Sequence, residues 1–313
     1  VLRCYTSDHF VLPLPPGHRF PMAKYRLLRE RIEAELAGHA QLCIAEPATR
    51  DDLVRAHCPD YVDRVLGGRL SERELKRIGF PWSPAVAERT TRVSGATLAA
   101  LESAIRGGTL AVNLAGGTHH AAYARGGGYC IFNDAVVAAR AVQARGLARR
   151  VLVVDLDVHQ GDGTAAICRD DPSIYTYSMH GARNYPAVKE PGDLDVALPD
   201  GTGDAVYLEL LDRYLDQALA ESNPDAVIYL AGADPYAGDA LGYLSLSKAG
   251  LRERDRRVLT RCRAAGLPVA ITMGGGYAPE VNDIVDIHAA TVALAAEFAA
   301  AGSAGQFHRQ LFE

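Results

Sequence analysis

The segment that most constrains the fold is residues 150–158, RVLVVDLDV. Valine and leucine fill it almost without a break, and only carboxylates interrupt it. Such a run is too short for a helix core and too apolar for a half-exposed strand. It fits a strand buried on both faces, the habit of parallel sheets covered by helices on each side. Similar apolar runs occupy residues 109–114, 174–179, 225–231 and 268–273, and helical patterns cover residues 134–145, 206–222 and 247–265. Strand and helix therefore alternate from about residue 109 onward. This predicts an α/β fold with a mainly parallel sheet and helices on both faces. The first hundred residues are mixed. Helices are expected over residues 22–36, over 50–65 with a break at Pro59, and over 84–106, where Gly107 and Gly108 stop the last one. A chain of 313 residues is compatible with one α/β domain spanning residues 1–313.

In sheets of this kind the ligand site lies beyond the carboxyl ends of the strands. Four apolar runs end in polar, glycine-flanked loops carrying His119 and His120, Asp155 to His159, Asp234 and Tyr277. The fold puts these loops on one edge. Alternate side chains of a strand share a face, so Asp155, Asp157 and His159 are expected to point the same way. A single aspartate at a strand end is usually a cap, and a lone histidine is usually structural. Three such groups on one apolar strand are costly to bury without a metal or partners. Asp157 and His159 are therefore read as half of a metal site, with Asp234 as the third ligand. Zinc accepts this mixture of imidazole nitrogen and carboxylate oxygen and leaves a position open for water. His119 and His120 read as an acid–base pair, with Asp155 and Asp162 as candidate orienting carboxylates. Tyr277, after three glycines, offers a phenol to a developing oxyanion beside a Lewis-acidic metal.

Composition excludes several other classes. Hydrophobic residues make up 48% and charged residues 23%, ordinary for a globular protein. The net charge of −5 and the lack of a basic stripe argue against direct nucleic-acid binding. A mildly acidic surface tolerates cationic partners such as lysine-rich peptides or polyamines. The six cysteines are scattered with no CxxC pair, which points to reduced thiols in a cytoplasmic setting. No secretory signal pattern is visible. The apolar stretch at residues 289–301 is short for a bilayer span and reads as a packing helix, so no membrane partner is expected.

The segments GGTHHA, GGGYCIFND, DLDVHQGDGT, AGADPYAGD and GGGY occur in that order. Together they resemble the zinc-dependent histone deacetylase family, over roughly residues 13 to 290. The opening GHRFPMAKY and the variant DLDVHQGDG look closest to the class IV branch and its bacterial relatives. The resemblance implies the single-domain arginase/deacetylase fold, with a mainly parallel sheet of about eight strands. It implies one catalytic zinc on Asp157, His159 and Asp234, and tandem catalytic histidines His119 and His120, with His120 favoured as the general base. Asp155 matches the carboxylate behind the first histidine and Asp162 the one behind the second. Tyr277 matches the transition-state tyrosine. Gly128 and Tyr129 match a substrate-tunnel wall, and Tyr185 the opposite wall. A monovalent cation, usually potassium, is implied beside the zinc, held by Asp155, Ser178 and main-chain oxygens including that of Met179.

The chain departs from many members at Gln160, where a second histidine is common, and in having three glycines before the tyrosine instead of four. No acidic loop residue for gripping a substrate backbone can be placed. The activity implied is removal of an acetyl or longer fatty acyl group from acyl-lysine. The alternative is the same chemistry on acetylpolyamines or other small amides. A two-manganese ureohydrolase needs a second acid close after Asp234, and the sequence there is Pro235-Tyr236-Ala237-Gly238-Asp239. A catalytically dead acyl-lysine binder is disfavoured because every expected ligand, base and tyrosine is present.

Overall fold

A computed structural model describes residues 1–309, with side chains described through Ala301. The chain runs β1 (Leu2–Thr6), α1 (Ala23–Glu35), β2 (Ala40–Ile44), α2 (Arg50–Leu53), α3 (Pro59–Leu66), α4 (Glu72–Ile78), α5 (Pro84–Gly107), β3 (Leu110–Asn113), α6 (Asp134–Ala144), β4 (Val151–Asp155), α7 (Asp162–Cys168), β5 (Ile174–Gly181), β6 (Leu194–Leu198), α8 (Asp204–Ser222), β7 (Ala226–Leu230), α9 (Lys248–Ala264), β8 (Val269–Thr272) and α10 (Val281–Arg309). The strands form one eight-stranded sheet in the order β2-β1-β3-β8-β7-β4-β5-β6. Every pairing is parallel.

Alternation along β4 explains the two layers. Leu152 and Val154 join the core built with α1, α8, α9 and α10. Val151 and Val153 face the opposite core, built with α3, α5 and α6. All five β4 residues are buried, as the unbroken apolar run requires. Three strands escape the sequence reading. β1 and β2 (LRCYT and AQLCI) are short and lie at or next to one edge, and β6 (LDVAL) is the other edge strand. Their mixed polarity hides them from a search for apolar runs. The short helices α4 and α7 were also not anticipated.

The largest departure is at the end of β4. The strand stops at Asp155, not at residue 158. Asp155 Oδ1 accepts the amide of Asp157 at 3.2 Å, and Asp157 Oδ1 accepts the amide of His159 at 2.9 Å. These local side-chain bonds replace the ladder and turn the chain. Strand alternation is therefore not what aligns Asp157 with His159. The carboxylates fold the loop themselves.

The C-terminal helix also differs from expectation. Residues 281–301 are long and apolar enough to cross a bilayer by length and composition, more than the stretch 289–301 suggested. The helix nonetheless packs on α1 and α9, and Ile284, Val285, Val292, Leu294 and Ala295 are buried in the domain.

Candidate active site

The loops after β3, β4, β7 and β8 meet in one cleft of about 620 Å³. His119, His120, Gly128, Tyr129, Asp157, His159, Tyr185, Asp234 and Tyr277 all line it. Asp155 and Asp162 stand behind the histidines. The expected residues are thus brought together from five strand ends, because Tyr185 comes from the loop after β5.

Each histidine has its own carboxylate. His119 Nδ1 lies 2.6 Å from Asp155 Oδ2, and His120 Nδ1 lies 2.6 Å from Asp162 Oδ1. Both rings therefore keep Nε2 for another partner. The ring centroids are 4.1 Å apart. Burial opposes charge on both rings. For His119 the carboxylates of Asp155 and Asp157 outweigh it and lift the pKa to about 9. For His120 burial prevails, helped by the charges of His119 and His159, and the pKa falls well below 6.5. Two adjacent imidazoles are thus driven in opposite directions by their surroundings.

The turn that presents them is built from the FND segment. Asp134, at the first turn of α6, accepts the amides of Gly117 at 3.1 Å and Thr118 at 2.7 Å. Asn133 caps α6 through the amide of Val136 and ties Ala121 and Thr164 with its side-chain nitrogen.

Asp157, His159 and Asp234 are buried, and one ligand atom from each lies within 4.8 Å of the others. Asp234 Oδ1 accepts the amide of Val158 at 2.9 Å, whereas Oδ2 is buried with no hydrogen-bond partner. That oxygen lies 3.3 Å from His159 Nδ1, which is itself 3.0 Å from Asp157 Oδ1, so two buried carboxylates converge on one imidazole nitrogen, an arrangement that calls for a cation. One nitrogen and two carboxylates fit a divalent ion, and zinc in particular. The glycines before Tyr277 have a reason here. Gly275 has φ +53°, and a Cβ on it would fall 2.1 Å from Asp234 Oδ2. Only glycine lets this backbone press against the acidic cage.

Gly128 has φ +52°, and a Cβ there would meet His120 Cδ2 at 2.6 Å. Tyr129 also has positive φ, at 65°. Its ring packs 5.9 Å from that of Tyr277 and 5.2 Å from Phe80. Tyr185 meets the His120 ring edge-on at 4.8 Å from the other side. Burial, reinforced by Asp234 and Asp157, pushes the Tyr277 phenol well above its ordinary pKa.

The expected monovalent-cation residues are neighbours. Asp155 and Ser178 pair in register across β4 and β5 and line a small cavity. Ser178 Oγ is 2.9 Å from His180 Nδ1. The Met179 side chain lies in the core, so only its main-chain oxygen is available there.

Three positioning residues were not anticipated. Lys24 is buried and donates to the carbonyls of Gly275 and Gly276, holding the loop before Tyr277. Its signal was present, because Lys24, Leu28 and Ile32 fall on one helical face. Asp239 accepts the amide of Tyr277 at 2.6 Å, and those of Leu241 and Gly242 at 2.8 and 2.9 Å. Burial, then the charge of Asp234, raises its pKa to about 6. Arg254 is fully buried and donates to Gly232 O at 2.7 Å and Leu156 O at 3.3 Å. It ties together the loops that carry Asp234 and Asp157. The Arg254-Asp255 pair within the apolar stripe of α9 was its signal.

A parallel α/β sheet with a buried Asp/His/Asp cage and carboxylate-backed histidines has the groups of a metal-assisted hydrolase. Residues 18–292 match the histone deacetylase domain, and the chain belongs to that family. An uncharacterized protein of Picosynechococcus is 46% identical over 280 residues, covering 89% of this chain and 93% of that one. Histone deacetylase 2 of Arabidopsis thaliana is 32% identical over 246 residues, 75% of this chain and 63% of the relative. Among solved structures, a histone deacetylase homologue from Aquifex aeolicus superposes with a TM-score of 0.80 at 21% identity, covering 94% of this chain and 84% of that one. A histone deacetylase homologue complexed with SAHA gives 0.81 at 23%, with the same coverage.

Proposed function

We propose that this cleft hydrolyses the amide of an acyl-lysine in a protein or peptide, whether acetyl or longer, with a zinc ion held by Asp157, His159 and Asp234. The carrying observation is the meeting, in one cleft, of an acidic metal cage, two histidines with separate carboxylates, and the Tyr277 phenol. When bound, zinc supplies a Lewis acid for the carbonyl and lowers the pKa of a water.

The chain's own groups do the rest. His120 receives the proton of the attacking water at Nε2, because Asp162 engages Nδ1. Asp155 holds His119 in the same sense. Tyr277 donates its phenol proton as a hydrogen bond to the oxygen that gains charge. The histidine pair returns a proton to the leaving amine. Tyr129, Gly128 and Tyr185 flank the acyl-lysine stem. Asp155, Ser178 and the Met179 carbonyl would hold a potassium ion that fixes the end of β4.

The test is amine release from acyl-lysine peptides, acetyl through myristoyl, by zinc-loaded and chelator-stripped protein. Metal-dependent release is expected, and Tyr277→Phe should lower turnover by about 10²–10³-fold. Equal rates with and without zinc, or full activity of that variant, would sink the mechanism.

A further inference from the structure

The rim of the cleft carries cations in a protein of net charge −5. Lys76, Arg77 and Arg183 line the main cleft, and Arg77 and Arg125 line an adjoining hollow of about 300 Å³ beside His120 and Tyr185. All four side chains are exposed. Arg183 is paired with Asp200 at 3.0 Å. Lys76, Arg77 and Arg125 form no ion pair among the described residues, although Arg125 feels the charge of Asp162, whereas Arg64, Arg140 and Arg257 sit on Glu74, Asp171 and Asp212. The carboxylates lining the two spaces are Asp157, Asp234 and Asp162. The first two form the cage, and the third is engaged by His120.

The rim is also firmly built. Ser71 and Glu74 form a capping box on α4, and Arg64 clamps Glu74 at 2.7 Å. At the other end of α4, the carbonyls of Arg77 and Ile78 accept the amides of Gly128 and Tyr129. Arg77 is therefore fixed relative to the loop beside His120. Tyr185 and Tyr243, 47% and 50% exposed, complete the rim.

We propose that this rim selects acyl-lysines flanked by acidic residues. The inference rests on the acyl-lysine reading above and names its substrate class. An acyl-lysine reaching the cage leaves its backbone at the rim, where neighbouring residues in an extended chain lie about 3.3 Å apart along the strand. A glutamate or aspartate beside the lysine then meets the unpaired guanidinium groups of Arg77 and Arg125. A lysine-rich tail or an acetylpolyamine brings ammonium groups against the same cations, and like charges there slow encounter and weaken binding.

The test compares kcat/KM for three matched acyl-lysine peptides, with glutamate, serine or lysine flanks, and for acetylputrescine, at low and high salt on zinc-loaded protein. The glutamate peptide should exceed the lysine peptide by about tenfold at low salt, and the gap should narrow at high salt. The double variant Arg77→Glu/Arg125→Glu should reverse the order. The readout is a ratio, so a general loss of folded protein does not move it. Anisotropy of the same peptides, fluorescently labelled, reports charge preference without turnover. Equal or reversed preference in the native protein, or a preference that neither salt nor the double variant alters, overturns the inference. Selective binding of the acidic peptide without release of any amine would retain the rim's preference and sink the hydrolase reading instead.

Discussion

Gly128→Ala tests whether the histidine pair is held to sub-ångström tolerance. The new Cβ would start 2.6 Å from His120 Cδ2, and ordinary contact begins at 3.4 Å, so the ring must retreat by about 0.8 Å. Retreat disturbs the 2.6 Å bond to Asp162 and the edge-on packing with Tyr185. A misplacement of about 1 Å at a reacting group costs about 10²-fold in rate. The left-handed backbone at φ +52° adds about 1 kcal/mol of strain once a Cβ is present. Gly146→Ala is the control. Gly146 has φ +70° with nothing within 4 Å of the added carbon, so it carries the backbone cost alone. In a chain of 313 residues the backbone cost should lower the melting point of both variants by about 1–2 °C, and only Gly128→Ala should lose about 10²-fold in kcat. The assay is amine release from an acyl-lysine peptide beside a thermal melt. Native turnover in Gly128→Ala, or an equal loss of turnover in Gly146→Ala, would refute the argument.

Three further outcomes are expected. Lys24→Met leaves the carbonyls of Gly275 and Gly276 without their donor, so stability should fall by about 1–3 kcal/mol and kcat more than about tenfold; unchanged turnover in a stably folded variant would remove Lys24 from the support of Tyr277. Asp239→Ala removes the acceptor for three amides, including that of Tyr277, and should lower kcat by about 10²-fold with KM nearly constant; a rise in KM alone would place its effect on binding. The Glu74 carboxyl is held down at about 2 by the hydrogen bond from Arg64, against burial and with help from Ser71. A depressed carboxylate stabilises the fold fully above its usual 4.5 and loses that contribution as pH falls toward 2. Glu74→Gln should cost about 1 kcal/mol at neutral pH, the partly exposed pair being screened. Melts of the two proteins should converge between pH 4.5 and 2, and a gap that widens on acidification would contradict this sign.

The sequence by itself determined much of this protein. The valine-rich run of β4 could be buried only between two helical layers, and the alternation after residue 109 required parallel strands. From that order alone, the loops with His119, His120, Asp157, His159, Asp234 and Tyr277 had to gather at one edge. What only the tertiary structure decided depends on contacts between residues far apart in the chain. Lys24 reaches Gly275 across 251 positions, and Arg254 reaches Leu156 across 98, and neither pairing leaves a local periodicity to read. The turn after Asp155 is local, yet strand propensity and side-chain capping compete there. The buried carboxylates settle the contest in favour of the turn. The cationic rim is a tertiary property too. Arg77 comes from α4 and Arg125 from the loop after β3, and the net charge of −5 gave no sign that they would meet. Periodicity reports which face of an element is buried. It does not report which distant side chain will be waiting there.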